Sequence, residues 1–441
     1  MRACDIRCNA AVCVWPQPHP QRAARARGVG RYAGRRILRG AVPGCAGFPG
    51  VGLVSDAALL SSHLSACRAW RGSEQHRRTG AQRARSGGGS ADQMEKAVGA
   101  AVQVSSEFSD AEWAGFVVSA AGATHSHLIC WHNLIRDVFG YEPGYRVARR
   151  DGRISGVLPA FVVTSPLLGR HIISVPFLNS GGICAVDEAS HAALLAEATD
   201  MLRTCRARHF EMRCDYPPRP GIVAREHKVR IVLDLPGRAD QLWASLRSEI
   251  RNRVRRAEKE GLGVEFASSD VDGFYRVFSE NMRELGVPAH PRRFFEAVLA
   301  GVASSELVTI SDGSETIGGA ILVWFRDKVE VPWISCSRRY FEKCPNNLLY
   351  WELMRHACER GFRVFDFGRS SPDTGPAVFK MRWGARAEQL YWHYVLPDGA
   401  ALPDETGSAS PKFRLASAIW KRMPRAITNS LGPRLIAHLP G

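Results

Sequence analysis

The sequence has no apolar run of the roughly 18 residues that a membrane-spanning helix needs. Its most hydrophobic stretch, residues 157–186, is broken by Pro159, Pro166, Arg170, His171, Pro176 and Asn179 and reads as buried strands. Zinc-type cysteine spacing is missing too. Five of the 12 cysteines (Cys4, Cys8, Cys13, Cys45 and Cys67) fall in residues 1–93, and the remaining seven, Cys130, Cys184, Cys205, Cys214, Cys336, Cys344 and Cys358, are scattered, an odd number without a framework. That pattern points to reduced thiols and a cytoplasmic location. Lysine is absent from residues 1–93, which hold 15 Arg and four acidic residues. A nucleic-acid tail would mix Lys with Arg and interleave stacking aromatics. A secretory signal would need an unbroken apolar core, and Pro16, Pro18 and Pro20 interrupt any such core. The leader therefore reads as translated upstream DNA or as a disordered extension, and Met94 is the expected natural start. Most of the formal net charge of +16 lies in that leader, so the rest of the chain is only mildly basic and no DNA partner is expected.

The body has the composition of ordinary globular domains. With 441 residues, 45% of them hydrophobic, the chain is long enough for two or three cores. A pattern also repeats within it. Residues 145–152 lead through Asp151-Gly152 into 154–158, and residues 307–313 lead through Asp312-Gly313 into 316–322. Both read as β-hairpins. Val175-Pro-Phe177 answers to Val331-Pro-Trp333. A helix then follows in each copy, with the stripe Leu195, Ala198, Leu202, Cys205 in one and Leu349, Leu353, Ala357 in the other. Asn346 and Asn347 are the candidate N-caps of the second helix, and Gly361 its stop. Residues 210–213 and 365–369 close the copies as short strands. Each unit is thus a mixed α/β layer, which predicts a duplicated α/β (α+β) fold. Between the copies, Leu242, Leu246, Ile250, Val254 and Ala257 recur at helical spacing, predicting one amphipathic helix over 240–261. Its arginines, Arg251 and Arg255 among them, read either as a solvated face or as a docking surface for an anionic group such as phosphate.

Longer strings carry a resemblance. Leu235-Pro236, Leu242-Trp243 and Arg251-Asn-Arg-Val-Arg-Arg-Ala-Glu-Lys-Glu-Gly261 resemble the signature of FemAB-like acyltransferases. So do Phe365-Asp-Phe-Gly-Arg-Ser-Ser371 and Phe379-Lys-Met-Arg-Trp-Gly-Ala385. Asn281-Met-Arg-Glu-Leu-Gly286, Pro345-Asn-Asn-Leu-Leu-Tyr-Trp351 and Val175-Pro-Phe177 with Gly181-Gly182 are similar to FemAB-related proteins that accompany PEP-CTERM/exosortase and exopolysaccharide gene clusters. The resemblance spans residues 107–433. It implies tandem GNAT-type acyl-CoA N-acyltransferase folds, with a first domain at 94–236, a second at 237–400 and a basic tail at 401–441. It also implies acyl-CoA or aminoacyl-tRNA as donor co-substrate and an amine of a cell-envelope or exopolysaccharide precursor as acceptor. No bound cofactor and no metal are expected, and the long coiled-coil arm of some tRNA-using members is missing. A catalytically inactive scaffold that keeps the fold is the alternative.

Acyl transfer to an amine needs an anchored donor, a stabilised carbonyl oxygen and a route for the amine proton. Pro332 inside 329–334 fits a strand edge or bulge. The helix beginning near Asn346 offers free N–H groups to a pyrophosphate, and Arg338 and Arg339 just upstream either complete that site or are plain surface arginines. Asp366, between Phe365 and Phe367, is a carboxylate in an apolar strand, hence a salt-bridged group or a candidate base, with Arg369 or Lys380 as the simplest partner. The family motif implies that Lys380 binds a substrate phosphate. Asp366-Phe-Gly368 matches a kinase tripeptide without the accompanying loops. His125, His127 and His132 lack a metal-binding frame, and His127 with Trp131 reads as packing on one helix. Residues 406–441 contain no acidic residue. They read as a segment docked on the protein's own body or as a peripheral contact with an anionic membrane at the inner face.

Overall fold

The computed structural model describes residues 101–402, apart from residue 167, and 411–439. The expectations for residues 1–93, including the start at Met94, lie outside the described residues.

The first half opens with β1 (Gln103–Ser105), α1 (Asp110–Ser119) and α2 (Cys130–Phe139). Strands β2 (Glu142–Pro143), β3 (Arg146–Arg150), β4 (Arg153–Leu158), β5 (Phe161–Ser165), β6 (Gly169–Ile173) and β7 (Cys184–Ala185) follow. Helix α3 (Glu188–Cys205) then leads to β8 (Phe210–Cys214) and the long β9 (Val223–Asp234). The second half begins with α4 (Ala239–Ser245), α5 (Ser248–Lys259), β10 (Gly263–Glu265), α6 (Val271–Leu285) and α7 (Arg292–Gly301). It continues through β11 (Ser305–Asp312), β12 (Glu315–Phe325), β13 (Lys328–Cys336), α8 (Pro345–Glu359), β14 (Val364–Ser370), α9 (Gly375–Met381) and β15 (Arg386–Val395). Helices α10 (Pro411–Arg422) and α11 (Arg425–Ile436) end it.

Eleven strands form one sheet in the order β10-β11-β12-β13-β14-β9-β15-β8-β6-β5-β2, and β1-β3-β4-β7 form a smaller one. The repeat is visible in this topology. Antiparallel hairpins β3–β4 and β11–β12 turn at Asp151-Gly152 and at Gly313, where positive φ suits a tight turn. Parallel crossovers then recur, β6–α3–β8 and β13–α8–β14. The copies differ at Pro159: β12 is continuous, whereas β4 and β5 are separate strands that pair in different sheets. Strand β9 pairs with both β14 and β15, so it stands in the middle of the large sheet.

Three cores flank the sheets. One gathers α4, α5 and α8 against Val329, Val331, Phe365 and Phe367. A second joins α1 and α2 to α6 and α7, and the third lies under α3.

Local expectations needed correction in three places. The segment 240–261 is two helices, not one, because Leu246 and Arg247 are extended (ψ 145° each). The stripe nevertheless survives the break: Leu242, Leu246, Ile250, Val254 and Ala257 are all buried. Helix α8 starts at Pro345 behind a left-handed Cys344, so neither Asn346 nor Asn347 is its N-cap. Proline suits that first position because its missing N–H has no partner there to lose. Finally, His127 belongs to a short 3-10 turn (His125–His127) ahead of α2, not to the helix of Trp131.

The last two helices dock on α6. Trp420, Thr428, Gly432 and Ile436 are buried, and Arg283 donates to the carbonyls of Lys421 and Met423, each at 3.1 Å. Arg425 pairs with Glu280 at 3.4 Å. Tyr141 donates to the Ala437 carbonyl at 2.9 Å, tying the tail to the first half. Among the described residues, no helix is long and apolar enough to cross a membrane.

Candidate functional site

Strands β13 and β14 run parallel, but they pair only where Lys328, Val329 and Glu330 meet Val364, Phe365 and Asp366. Beyond that rung β13 continues to Cys336 and β14 to Ser370, so the strands part. Two irregularities accompany the opening. In β13, Glu330 pairs with Val323 and Trp333 with Ile321, so β13 spends an extra residue at Val331-Pro332. Pro332, which has no N–H to donate, sits in this bulge. Alternation is shifted across it: Lys328 and Glu330 share a face with Trp333, which packs on Phe294 and Phe295. Val329, Val331 and Cys336 face the opposite core. In β14, Gly368 has φ +74°, and a Cβ there would lie 3.0 Å from the Val331 carbonyl oxygen and 3.6 Å from Asn179 Nδ2. Only glycine allows the strands this close approach.

Charged groups line the side of the opening that faces α1, α2, α6 and α7. Glu330 is held by His125 Nε2 at 3.0 Å and by Asn179 Nδ2 at 2.5 Å. Burial pushes its carboxyl up, but the facing His125, Lys328 and Asn179 outweigh that and hold it at about 2. Asp366, 2% exposed, receives Lys328 Nζ at 2.7 Å on one oxygen and the Gly368 N–H at 2.9 Å on the other. Burial raises the Asp366 carboxyl, Lys328 opposes this and Glu330 reinforces it. Lys380, reaching in from α9, donates to Ser370 Oγ at 3.1 Å and to the carbonyls of Arg369 and Gly368 at 3.3 and 3.4 Å. Burial lowers its ammonium to about 8. Arg369 is half-buried over the Trp392 ring (5.8 Å), and its Nη1 has no hydrogen-bond partner. Burial and the nearby Arg213 push its guanidinium down; guanidinium stays charged near neutral pH all the same. A cavity of about 240 Å³ opens here, lined by His125, Ser180, Asp215, Arg230, Lys328 and Glu330 among others. Among the described residues no cluster of His, Cys, Asp or Glu could hold a metal ion.

Of the residues singled out in the sequence, Asp366, Arg369 and Lys380 come together at this opening. The partner of Asp366 is a correction: it is Lys328, not Arg369 or Lys380, because Lys328 and Asp366 stand on the same face two residues apart in the register of the parallel pair. The others lie elsewhere. Arg251 Nη1 donates to the carbonyls of Leu246 (2.8 Å) and Ala244 (3.1 Å), closing the end of α4. Arg255 lies over Trp243 at 5.6 Å, and Trp243 packs on Trp351. Arg338 pairs with Glu284 at 3.0 Å, and Arg339 lies by the Tyr340 ring. Asn346 and Asn347 occupy the first turn of α8, on the core opposite Glu330, where Asn347 is buried with Nδ2 unpartnered. Sequence reasoning missed His125, Asn179, Lys328 and Glu330. His125 and Glu330 are 205 residues apart, which no local motif records. The one available signal was Lys328 and Glu330 interrupting an apolar strand, the same signal that singled out Asp366.

Residues 244–381 match the family model described as acetyltransferase (GNAT) domain, and the opening with Lys328, Glu330, Asp366 and Lys380 falls inside that match. No curated protein matches the sequence. Among solved structures, the chain is similar to FemX, at 16% identity and a TM-score of 0.53, over 66% of this chain and 96% of that one. It is also similar to the C-terminal domain (DUF2156) of a putative lysylphosphatidylglycerol synthetase from Agrobacterium fabrum, at 14% identity and a TM-score of 0.46, over 65% and 91%. A tandem GNAT protein from the clavulanic acid biosynthesis pathway aligns at 11% identity and a TM-score of 0.44, over 68% and 100%. The fold is therefore mixed α/β and GNAT-like, and residues 244–381 are the part that matches the acetyltransferase (GNAT) domain.

Proposed function

We propose that the chain is a FemAB-like N-acyltransferase that moves an acyl or aminoacyl group from CoA or tRNA onto an amine of a cell-envelope or exopolysaccharide precursor. The observation that carries this reading is the parting of β13 and β14 over a buried polar cluster, within the segment that matches the acetyltransferase domain. The exosortase-linked branch is its most specific form and rests on the quoted strings alone. In this reading the modules at 94–236 and 237–400 work on the cytoplasmic side, and the chemistry belongs to the later one.

The acceptor nitrogen attacks the carbonyl carbon of the donor. A C–N bond forms, and the C–S or C–O bond to the carrier breaks, the carrier leaving as thiol or hydroxyl with the proton that the amine gives up by way of His125. Lys380, lowered to about 8 by burial, steadies the negative carbonyl oxygen through its charge, its N–H groups being held by Ser370 Oγ and the carbonyls of Arg369 and Gly368. The amine proton passes to His125, whose Nε2 is fixed by Glu330 and whose Nδ1 has no partner. Asp366 is a positioning residue here, since both its oxygens are engaged and one of them shapes the Gly368 turn. Arg369 takes an anionic group of a substrate through its unpartnered Nη1.

The test is a donor screen read by thermal shift and by turnover. A donor at about 100 times its dissociation constant stabilises the folded chain by about 2.7 kcal/mol. Acyl-CoA thioesters and aminoacyl-tRNA are the two donor sets. Stabilisation by one set, with turnover on an amine and loss of turnover in Lys380→Ala, supports the reading. Neither stabilisation nor turnover across both sets refutes it and favours a scaffold that keeps the fold.

A further inference from the structure

The exposed apolar side chains are unevenly spread. Of the twelve large ones among the described residues, five belong to the last two helices: Leu415 and Ile419 on α10, and Ile427, Leu431 and Leu435 on α11. Each set repeats every four residues, so it forms a row along one side of its helix. Leu415 is 64% exposed and Ile419 49%. A sixth, Leu285, ends α6 beside Gly286, the glycine on which Ser417 and Lys421 of α10 rest. A neighbouring side of each helix, about 100° round from the row, packs inward through Trp420, Thr428, Gly432 and Ile436, which are buried. The rows are therefore not fraying ends that could turn inward; the inner positions are already filled.

Charge accompanies these rows. Arg414, Lys421, Arg422 and Arg434 are exposed on the same two helices, and no acidic residue follows Glu405 in the sequence. Exposed leucine and isoleucine flanked by cations that have no acidic partner among the described residues suit an interface that is apolar inside and anionic at its rim. Among common surfaces that is a bilayer bearing acidic headgroups. Neither helix, at 12 residues each, is long enough to span one. We infer that α10 and α11 form a peripheral seat on an anionic lipid surface, with the Leu415/Ile419 row entering the acyl boundary and the basic side chains among the headgroups. This goes beyond the transfer reading and does not rest on it: the seat lies on the tail helices, outside the β13–β14 opening.

The full chain tests this by vesicle flotation. One vesicle is phosphatidylcholine alone and the other contains about 30% phosphatidylglycerol, enough to give the surface a negative potential. Partition onto the anionic vesicle should exceed that onto the neutral one by about tenfold, and salt should reduce the difference. Leu415→Asp with Ile419→Asp, and separately Arg414→Ser with Arg422→Ser, should each lower partition by about tenfold. These positions are exposed, so the thermal midpoint should stay at the wild-type value; Val186→Asp, an exposed apolar site elsewhere, should leave partition unchanged. Equal partition of the wild-type chain onto both vesicles overturns the inference. So does wild-type partition by both double variants. A concentration-dependent dimer that Leu415→Asp with Ile419→Asp dissolves, without any change on vesicles, overturns it in favour of an interface between copies. Turnover on a water-soluble amine reads the transfer proposal independently of all these outcomes.

Discussion

Replacing Lys328 by methionine removes the cation that faces Asp366 at the opening. Lys328 Nζ stands 2.7 Å from Asp366, whose side chain is 2% exposed while that of the lysine is 29% exposed. Methionine keeps the apolar stem and removes the charge, leaving Asp366 with the Gly368 N–H as its remaining strong partner. Breaking a fully buried ion pair costs about 3–5 kcal/mol. Water reaches the lysine side of this pair, so the expected loss is smaller, about 2–3 kcal/mol at pH 8. The loss should also depend on pH in a definite direction. Burial already places the folded carboxyl above its ordinary value. A carboxyl raised on folding holds its proton more tightly in the native state, so stability falls as pH climbs from the unfolded to the folded value. Without Lys328 the folded value rises further, and the deficit of the variant should widen between pH 5 and pH 8. Adding Asp366→Asn removes the stranded charge but keeps an acceptor for Gly368, and should bring stability back to within about 1 kcal/mol of wild type. Urea unfolding of the wild type, both single variants and the double variant at the two pH values gives the complete cycle. A deficit that is the same at both pH values and untouched by Asp366→Asn would refute the reasoning.

Gly368→Ala should cost about 1–3 kcal/mol, because its φ of +74° is left-handed and the new Cβ would press on the Val331 carbonyl; an unchanged urea midpoint would mean that the strands part more widely than 3.0 Å implies. The role proposed for Lys380 predicts how turnover depends on pH. As a cation lowered to about 8, it loses its proton as pH rises through that value, so the rate should fall between pH 7 and pH 9. Any turnover that Lys380→Arg retains should lack this fall, since guanidinium keeps its proton, and a fall that persists in this variant assigns the titration to another group.

The sequence spoke clearly at a glycine turn and at a strand proline. Asp151-Gly152 announced a hairpin because a tight turn needs positive φ at neighbouring positions, and the structure has 51° and 74° there. Pro332 announced an irregular strand because a missing N–H cannot serve an even ladder, and the bulge falls on Val331-Pro332. Asp366 drew notice because a carboxylate between two phenylalanines must be compensated. What compensates it could not be read, since Lys328 reaches it through the register of β13 on β14, a tertiary fact. The same holds for His125 and Asn179, which meet Glu330 from distant loops of the first half. Helical periodicity misled at 246–247 because the buried stripe keeps its phase across the break. The phosphate-binding reading of Arg251 and Arg255 rested on pitch alone, whereas in the fold one guanidinium closes α4 and the other covers Trp243.

The two crossovers share one sheet yet end differently, and the difference explains why the proposed transfer belongs to the later one. After β6 the chain stays stitched to β8: Ser174 N–H donates to the Glu211 carbonyl at 2.9 Å and Gly181 N–H to that of Arg213 at 2.8 Å. The charges within that first opening are spent on each other. Arg213 holds Glu211 at 3.0 Å and the Leu178 carbonyl at 3.0 Å, and Tyr394 donates to the second Glu211 oxygen at 3.0 Å. In the later crossover pairing stops at Glu330 and Asp366, and among the described residues no backbone hydrogen bond joins β13 to β14 beyond them. Gly368 turns β14 at a positive φ against the Val331 carbonyl, Lys380 approaches from α9, and Arg369 keeps an unpartnered nitrogen. A duplicated fold can serve one reaction in this way. One copy closes its opening with its own loop and lends residues such as His125 and Asn179, while the other stays parted around the groups they complete.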